Sequence, residues 1–483
     1  MKINFRPLFI VAISLILGIV CLASFNFNNT GVGIFALVVI ITLMLTFAML
    51  FLLSLINKNN RFFSFIKKFK PTALCVLIGI TISVASFYTI LTLFNSNENI
   101  TLNNVALSGR ICDVKNYNNY MVVNLDNVKI DGKDIGGNSE LSITKSDNAI
   151  TSNIVNGNYL SLTTDLYKVN AGYETVYKIV NNIKYSSSSF VGNITITNAN
   201  KTVKDVIKQN VLNNLTLTLN ADNANLAYSM LFGEKDNLSD DVYNAFSYSG
   251  LAHILAVSGL HIGFLVALLV GLLNLLKCNK HLKNIIIFII LFLYAYLTNF
   301  TPSVVRAVIM SLVLLFSKTY NKEYDALSSL SLAAIIILIF SPFSLFTVGF
   351  QLSFACVFAI ITLAPLISDC FVGIKFPKRL ADALAISLAV NIGVFSITAH
   401  HFNVINFVSV ISNIIVLPLF SVCYMFLFVF GFIGAITNVF NFMLTIPNLI
   451  LHFIKIFANF IAEINFLNIK VFSVGYLVIS LMS

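Results

Sequence analysis

The chain has 483 residues, of which 58% are hydrophobic and only 10% charged, with a formal net charge of +10 at pH 7. Soluble chains average about 45–50% apolar and about 25% charged, so an ordinary water-soluble protein is excluded and the bilayer must form most of this chain's surroundings. The positive charge does not by itself indicate nucleic acid, because the basic residues bunch in short loops between apolar runs, where membrane topology already accounts for them.

Lys2 and Arg6 precede an apolar run over residues 7–24, and a second run over 31–56 follows too closely for the first to be a cleaved leader. A basic loop with Lys58, Arg61, Lys67, Lys68 and Lys70 leads into a third run over 72–94. Residues 1–94 therefore read as three N-terminal transmembrane helices, with the N-terminus cytoplasmic. Over residues 95–200 the long apolar runs stop and Asn, Ser, Thr and Asp rise. Alternating segments at 105–114, 120–130, 141–145, 159–169 and 189–197 read as strands, with turn signals at Asp131-Gly132, Gly136-Gly137 and Asn156-Gly157. This is a small extracytoplasmic β-rich domain, either a sandwich or a barrel, an OB-like barrel being one candidate. Residues 201–250 read as an amphipathic helical connector.

Residues 251–483 form a polytopic domain. Apolar runs fall at 251–276, 284–300, 302–317, 326–340, 348–371, 381–402 and 408–436, with further stretches at 440–464 and 467–481. The expected fold is a polytopic α-helical membrane protein of about 10–12 spans with an inserted β domain. Loop charge tests the topology independently. Lys277, Lys280 and Lys283, then Lys318 and Lys322, then Lys375, Lys378 and Arg379 occupy alternate loops, whereas the loops around Thr301, Ser341 and Asn403 carry no Lys or Arg. The run from Leu251 is thus expected to head into the cytoplasm, with residues 95–250 outside. No inverted repeat marks a secondary transporter.

Polar residues within the runs carry the chemistry. On a continuous helix from Leu251, His253, Val257 and His261 fall within about 80° of one another, so one face carries two imidazoles. Ser258 lies beside them, and Gly259 removes bulk where a backbone or ligand could approach. The alternative is that these histidines face headgroups or bond neighbouring carbonyls. Arg306 and Gln351 each lie about one turn inside the outer end of a run; an arginine facing lipid costs a few kcal/mol unless it snorkels, so Arg306 is expected to face the bundle interior. His400 and His401 end the next run, and Asn413 begins the one after, which Pro418 is expected to break. By the loop charges, all these groups sit in the outer half of the bilayer, which suggests a hydrated vestibule. Seven cysteines are scattered without a CxxC pair, and only Cys112 falls in the β-rich domain, so neither a disulfide within it nor a usual zinc site is expected.

The segment AHILAVSGLHIGFL within 251–265 is similar to the signature of the ComEC family of competence proteins. Upstream, Leu231-Phe232-Gly233 resembles the family's LxG segment. Downstream, PSVVRA at 302–307 resembles its PxxxRA segment, GFQLSF at 349–354 its GFQLSF segment, and Asn413 with Pro418 its later N…P pattern. The resemblance covers essentially the whole chain. It implies an OB-like inserted domain and a channel region over 251–483, in a bacterial cell membrane. It also implies a channel importing single-stranded DNA during natural transformation, served by a DNA receptor, a separate nuclease and a cytoplasmic ATP-driven motor. One departure stands out: many members end in a metallo-β-lactamase-like domain, whereas this chain stops soon after its last apolar run and its six histidines contain no HxHxDH. The chain is read as a form lacking that domain. With no G-x-x-x-x-G-K-[ST] loop either, it is expected to be no enzyme and to hold no metal or cofactor, its contacts being DNA and membrane lipid.

Residues 95–205 carry ten basic and ten acidic side chains. DNA contact there would need local clustering, for example at Arg110, Lys115 and Tyr117, and would be weak and salt-sensitive. The alternative function is a membrane enzyme or transporter acting on a phosphate-bearing lipid or cell-wall precursor, which would put the same His and Arg to work on a phosphate.

Overall fold

The computed structural model describes residues 6–28, 61–94, 101–116, 120–144, 154, 156–169, 175–187, 194–197, 202–235, 237–373, 376–402, 404–406, 408–437, 440–463 and 468–470. Helices α1 (Pro7–Asn28) and α2 (Arg61–Phe94) precede strands β1 (Thr101–Asn116), β2 (Tyr120–Ile130), β3 (Lys133–Asp134), β4 (Asn138–Thr144) and β5 (Tyr159–Lys168). Then come α3 (Val176–Val180), β6 (Ile183–Ser187), β7 (Thr195–Thr197), α4 (Val203–Thr218), α5 (Ala221–Phe232) and α6 (Asp240–Tyr248). The remaining helices are α7 (Gly259–Leu275), α8 (Lys280–Leu297), α9 (Pro302–Thr319), α10 (Ala326–Phe340), α11 (Val348–Thr362), α12 (Ala364–Gly373) and α13 (Lys378–Phe402). β8 (Val404–Asn406), α14 (Ser409–Thr437), α15 (Thr445–Ala462) and β9 (Asn468–Lys470) follow. The chain divides into two compact units, Met1–Lys201 with Leu327–Thr347, and Thr202–Ala326 with Val348–Ser483.

In the first unit, α1 and α2 pack closely because small residues face each other: Gly18 lies against Ser83, and a Cβ on Gly79 would stand 2.6 Å from that of Ser14. The Ser14 and Ser83 hydroxyls donate to Ile10 and Ile80 carbonyls within their own helices, so neither is left unpaired. The expected span over 31–56 lies outside the described residues, and α2 begins at Arg61, inside the expected basic loop.

The β domain is a closed five-stranded barrel. β1 pairs with β2 and β5, β2 with β4, β4 with β6 in parallel, and β6 with β5. β1 serves two neighbours because it is 16 residues long and bends at register shifts after Leu102, Ser108 and Ile111. Alternating burial along β2 and β5 sends Val123, Leu125, Leu160 and Leu162 into a core shared with Leu107, Ile111 and Leu141. Asp131 and Gly132, with φ of 49° and 79°, form the two-residue turn between β2 and β3. The closed ring settles the choice between sandwich and barrel and agrees with an OB-like domain. Of the expected strand at 189–197 only Thr195–Thr197 is strand among the described residues. Ile183–Ser187 was not expected, since five residues show too little alternation; pairing with β4 and β5 fixes it. The 3₁₀ turn Pro342–Phe346 after α10 stacks Phe343 on Phe87 of α2, ring centres 5.2 Å apart.

In the second unit, α4 opens with a Thr202/Asp205 capping box, and α5 is capped by Asn220 and closed by Gly233 at φ 78°. Buried side chains wrap every face of α5, which joins α4, α6, α14 and α15 in one core with Leu215, Leu231, Phe246, Phe420 and Ile454. Two of its polar side chains donate inside: Asn223 to Asn448 Oδ1 at 2.7 Å, and Ser229 to the Leu255 carbonyl at 3.2 Å. By length and composition, seven helical segments among the described residues can cross a membrane: Leu74–Thr92, α8, α9, Val348–Gly373, α13, α14 and Asn441–Ala462. Pro7–Ala23, α7 and α10 are shorter apolar helices. The chain is a multi-pass membrane protein.

Helix directions follow from contacts. α7, α9 and α11 start at one end: Ser303 Oγ donates to the Val257 carbonyl at 3.0 Å, and Arg306 to the Ser353 carbonyl at 2.6 Å. α8 and α13 run the other way, with Asn284 bonded to Thr319 and His401 to Gln351. Strict alternation would set α14 parallel to α7. Instead it is antiparallel: Phe420 meets Phe264 and His261, Tyr424 meets His261, and Phe428 meets Tyr294 near the end of α8. The cause is a turn back into the bundle after Phe402. β8, paired with β9, leads to Ser409, whose hydroxyl donates to Asn391 Oδ1 midway along α13 at 2.7 Å. Nor does Pro418 break α14, which runs through it unbroken; packed neighbours make a proline tolerable there.

Candidate functional site

The site is built at the start of α7. The sequence reads as a helix from Leu251, but a 3₁₀ turn occupies Ala252–Ile254 and α7 starts only at Gly259. The reason is the cap: Ser258 is extended, with φ −123° and ψ 174°, and its Oγ accepts from Leu260 N–H. The two-imidazole face is therefore lost. His253 stands exposed on the turn, its Nδ1 3.2 Å from the Gly250 carbonyl, while His261 is 1% exposed.

His261 completes the cap. Its Nδ1 accepts from Ser258 N–H at 3.2 Å and lies 3.0 Å from Ser258 Oγ, so the neutral ring carries its proton on Nε2. Among the described residues that Nε2 has no partner. The ring stands edge-on to Phe420 and Tyr424, with centres 5.0 and 4.8 Å away. Tyr424 donates to Tyr294 Oη at 3.0 Å, and Tyr294 to the Leu231 carbonyl at 2.6 Å. Leu231-Phe232-Gly233 is thereby tied to the same site.

Arg306 lies one turn into α9 and is 4% exposed. Its Nη1 donates to the Ser353 carbonyl at 2.6 Å, and the guanidinium sits 5.8 Å from the Phe354 ring centre. Gly259 matters here: a Cβ on it would stand 2.7 Å from Arg306 Nη2. The room that Gly259 leaves is thus filled by Arg306, not open to a ligand. Arg306 Nε has no partner, and no acidic side chain bonds the guanidinium, among the described residues. Three helices also begin here, each bringing roughly half a positive charge. Holding an ion out of water costs several kcal/mol, and neighbouring helix N-termini add to that cost.

Ser258, Gly259, His261 and Arg306 are brought together. Gln351 is half-buried and bound instead to His401, whose Nε2 lies 3.0 Å from Gln351 Oε1. Asn413 is part of α14, with its Oδ1 buried and unpartnered among the described residues. The arrangement is a polar core in which His261 and Arg306 are buried. Sequence reasoning missed Phe420 and Tyr424, because the antiparallel course of α14 is invisible in hydropathy; the hydroxyl of Tyr424 inside an apolar run was the available signal.

In the barrel, Arg110 is committed to Asp126 across the β1–β2 pair, with Nε–Oδ1 3.0 Å and Nη2–Oδ2 2.7 Å, so its charge is neutralised. Lys115 donates to Tyr177 Oη at 2.8 Å. Lys178, 5.7 Å from the Tyr167 ring centre, is paired with Glu140 Oε1 at 2.8 Å and donates to Ser186 Oγ at 2.8 Å, so its charge is neutralised like that of Arg110. Tyr117 lies outside the described residues. The barrel's exposed aromatics include Tyr120, Tyr159, Tyr167 and Tyr177.

Residues 230–483 match the family model described as Competence protein. The chain is 28% identical over 217 residues to ComE operon protein 3 of Bacillus subtilis (strain 168), a match covering 45% of this chain and 27% of that protein. The match thus spans about a quarter of that relative's length. No solved structure matches the chain.

Proposed function

The chain belongs to the competence protein family, and from that premise we propose that it forms the membrane channel through which single-stranded DNA enters the cell during natural transformation. The observation that carries this reading is Arg306, a buried cation at the meeting of three helix starts with no acidic partner among the described residues. An ionisable group inside a membrane bundle marks a functional site by default, and this one meets no anion among the described residues. A DNA strand supplies one phosphate per nucleotide. Each phosphate can take up the unpartnered Nε in turn and pass on, because a single cation binds too weakly to hold a strand.

Since Arg306 and His261 are sealed, passage requires α7 to part from α9 and α11. The links that must open include the Ser303–Val257 and Arg306–Ser353 hydrogen bonds. Neutral bonds contribute about 0.5–1.5 kcal/mol each and charged ones about 1.5–3, so bound phosphates can offset the cost. The barrel meets DNA first, with the Lys115/Tyr177 pair as the contact; base stacking on an aromatic contributes about 1–3 kcal/mol. In this reading the barrel faces outward, the N-terminus faces the cytoplasm, and this chain breaks no bond. A receptor, a nuclease and an ATP-driven motor act as separate proteins.

Deleting the gene tests the proposal. Transformants from homologous DNA and entry of a labelled strand should both be lost while growth is unaffected. Unchanged transformation would overturn it.

A further inference from the structure

We propose that α15 does not cross the bilayer but lies in its plane, in the interface with water, with an exposed apolar stripe among the phospholipids. The inference rests on the membrane reading alone and is independent of DNA. At 18 residues α15 is about 27 Å long, enough to span. Its side chains sort differently. Pro447, Leu451, Ile454, Ala458 and Ile461 are buried against the protein. Ile446, Leu449, Phe453, Ile456 and Phe460 recur every three or four residues and are exposed, Leu449 at 72% and Phe460 at 63%. Between these stripes runs a polar ridge of Asn448, His452, Lys455 and Asn459.

The ridge argues against crossing. Lys455 pairs at 3.0 Å with Asp222, whose side chain is 58% exposed, and His452 and Asn459 are exposed beside it. A crossing α15 would put this ammonium near the bilayer centre, where a charge costs at least about 2.5 kcal/mol. In the plane of the interface the whole ridge stays among headgroups and water while the apolar stripe enters the acyl region.

Attachment points the same way. The Pro447 carbonyl is 3.8 Å from Cys423 Sγ, next to Tyr424, which packs on His261 in the first turn of α7. Further along, Leu451, Ile454 and Ala458 share a core with Phe246, Leu251 and Ile254, all of which precede that first turn. A crossing helix would instead carry Ala458 toward the far end, where Lys283 bonds Asn274. The stripe is also continuous with the exposed flank of α14, through Val422, Ile433 and Ile436 and then Phe440 and Phe442. That continuity with a membrane-length helix identifies the occupant as lipid.

The chain contains no tryptophan, so Leu449→Trp, Phe453→Trp, Ile456→Trp and Phe460→Trp each report against a dark background. Each full-length variant would be reconstituted into phosphatidylcholine–phosphatidylglycerol vesicles containing lipids brominated at graded acyl positions. The expected result is quenching of all four at one common, shallow depth. Deepest quenching at 453 and 456 with shallow ends would mean a crossing helix and overturn the proposal. Emission insensitive to brominated lipid, whether quenched by aqueous iodide or shielded by a second copy, would overturn it as well. Apolar-to-Trp changes on an exposed stripe leave the core untouched, and gel filtration of each variant checks that it is folded.

Discussion

At the scale of residues, the site depends on one glycine and one arginine that occupy the same space. Both were legible in the sequence as unusual, but the purpose of Gly259 was not: its missing Cβ makes room for the Arg306 guanidinium. Gly259→Ala should therefore displace Arg306 and cost about 1–3 kcal/mol by overpacking, read as a lower thermal midpoint in detergent together with reduced uptake. Arg306→Ala should abolish uptake without preventing membrane insertion, and Arg306→Lys should restore part of it by returning the charge without the fork. Wild-type uptake in Arg306→Ala would remove the residue from the mechanism. Arg110 is the converse case. Its basic character drew attention in the sequence, but only strand register reveals Asp126 opposite, so Arg110→Ala should destabilise the barrel more than it weakens DNA contact.

At the scale of elements, hydropathy located the apolar helices and alternation located four of the barrel strands, because burial imposes those periods directly. It could not locate the start of α7, since Leu251, Ile254 and Leu255 are apolar for another reason: they enter the core beside α5 and α6. The cap was written in Ser258, and Ser258→Ala should cost about 1 kcal/mol, seen as a lower thermal midpoint. The direction of α14 was not legible either, because three residues of β8 and their pairing with β9 decide it. For the barrel, replacing Lys115 with Ala in the full-length protein should weaken binding of a short oligothymidylate and flatten its salt dependence by a slope of about 1. An unchanged salt slope would take this lysine out of the DNA contact.

At the scale of the whole molecule, the multi-pass character and the inserted barrel follow from composition and from the change of pattern after residue 94. The family follows from motifs that the fold gathers: Leu231-Phe232-Gly233, Ser258 to His261 and Arg306 all meet around the start of α7. Motifs far apart in sequence are thus one site, and what they surround is a closed, positively charged core. In the proposed channel a DNA strand passes this point. Phe354 packs beside the Arg306 guanidinium, so a benzoylphenylalanine at position 354 places a photoreactive group there with modest change of shape. Cells taking up end-labelled DNA would be irradiated and the full-length protein recovered. A labelled protein–DNA adduct is expected, suppressed by excess unlabelled DNA and abolished by Arg306→Ala; uptake of labelled DNA with no adduct at 354 would overturn passage at this point.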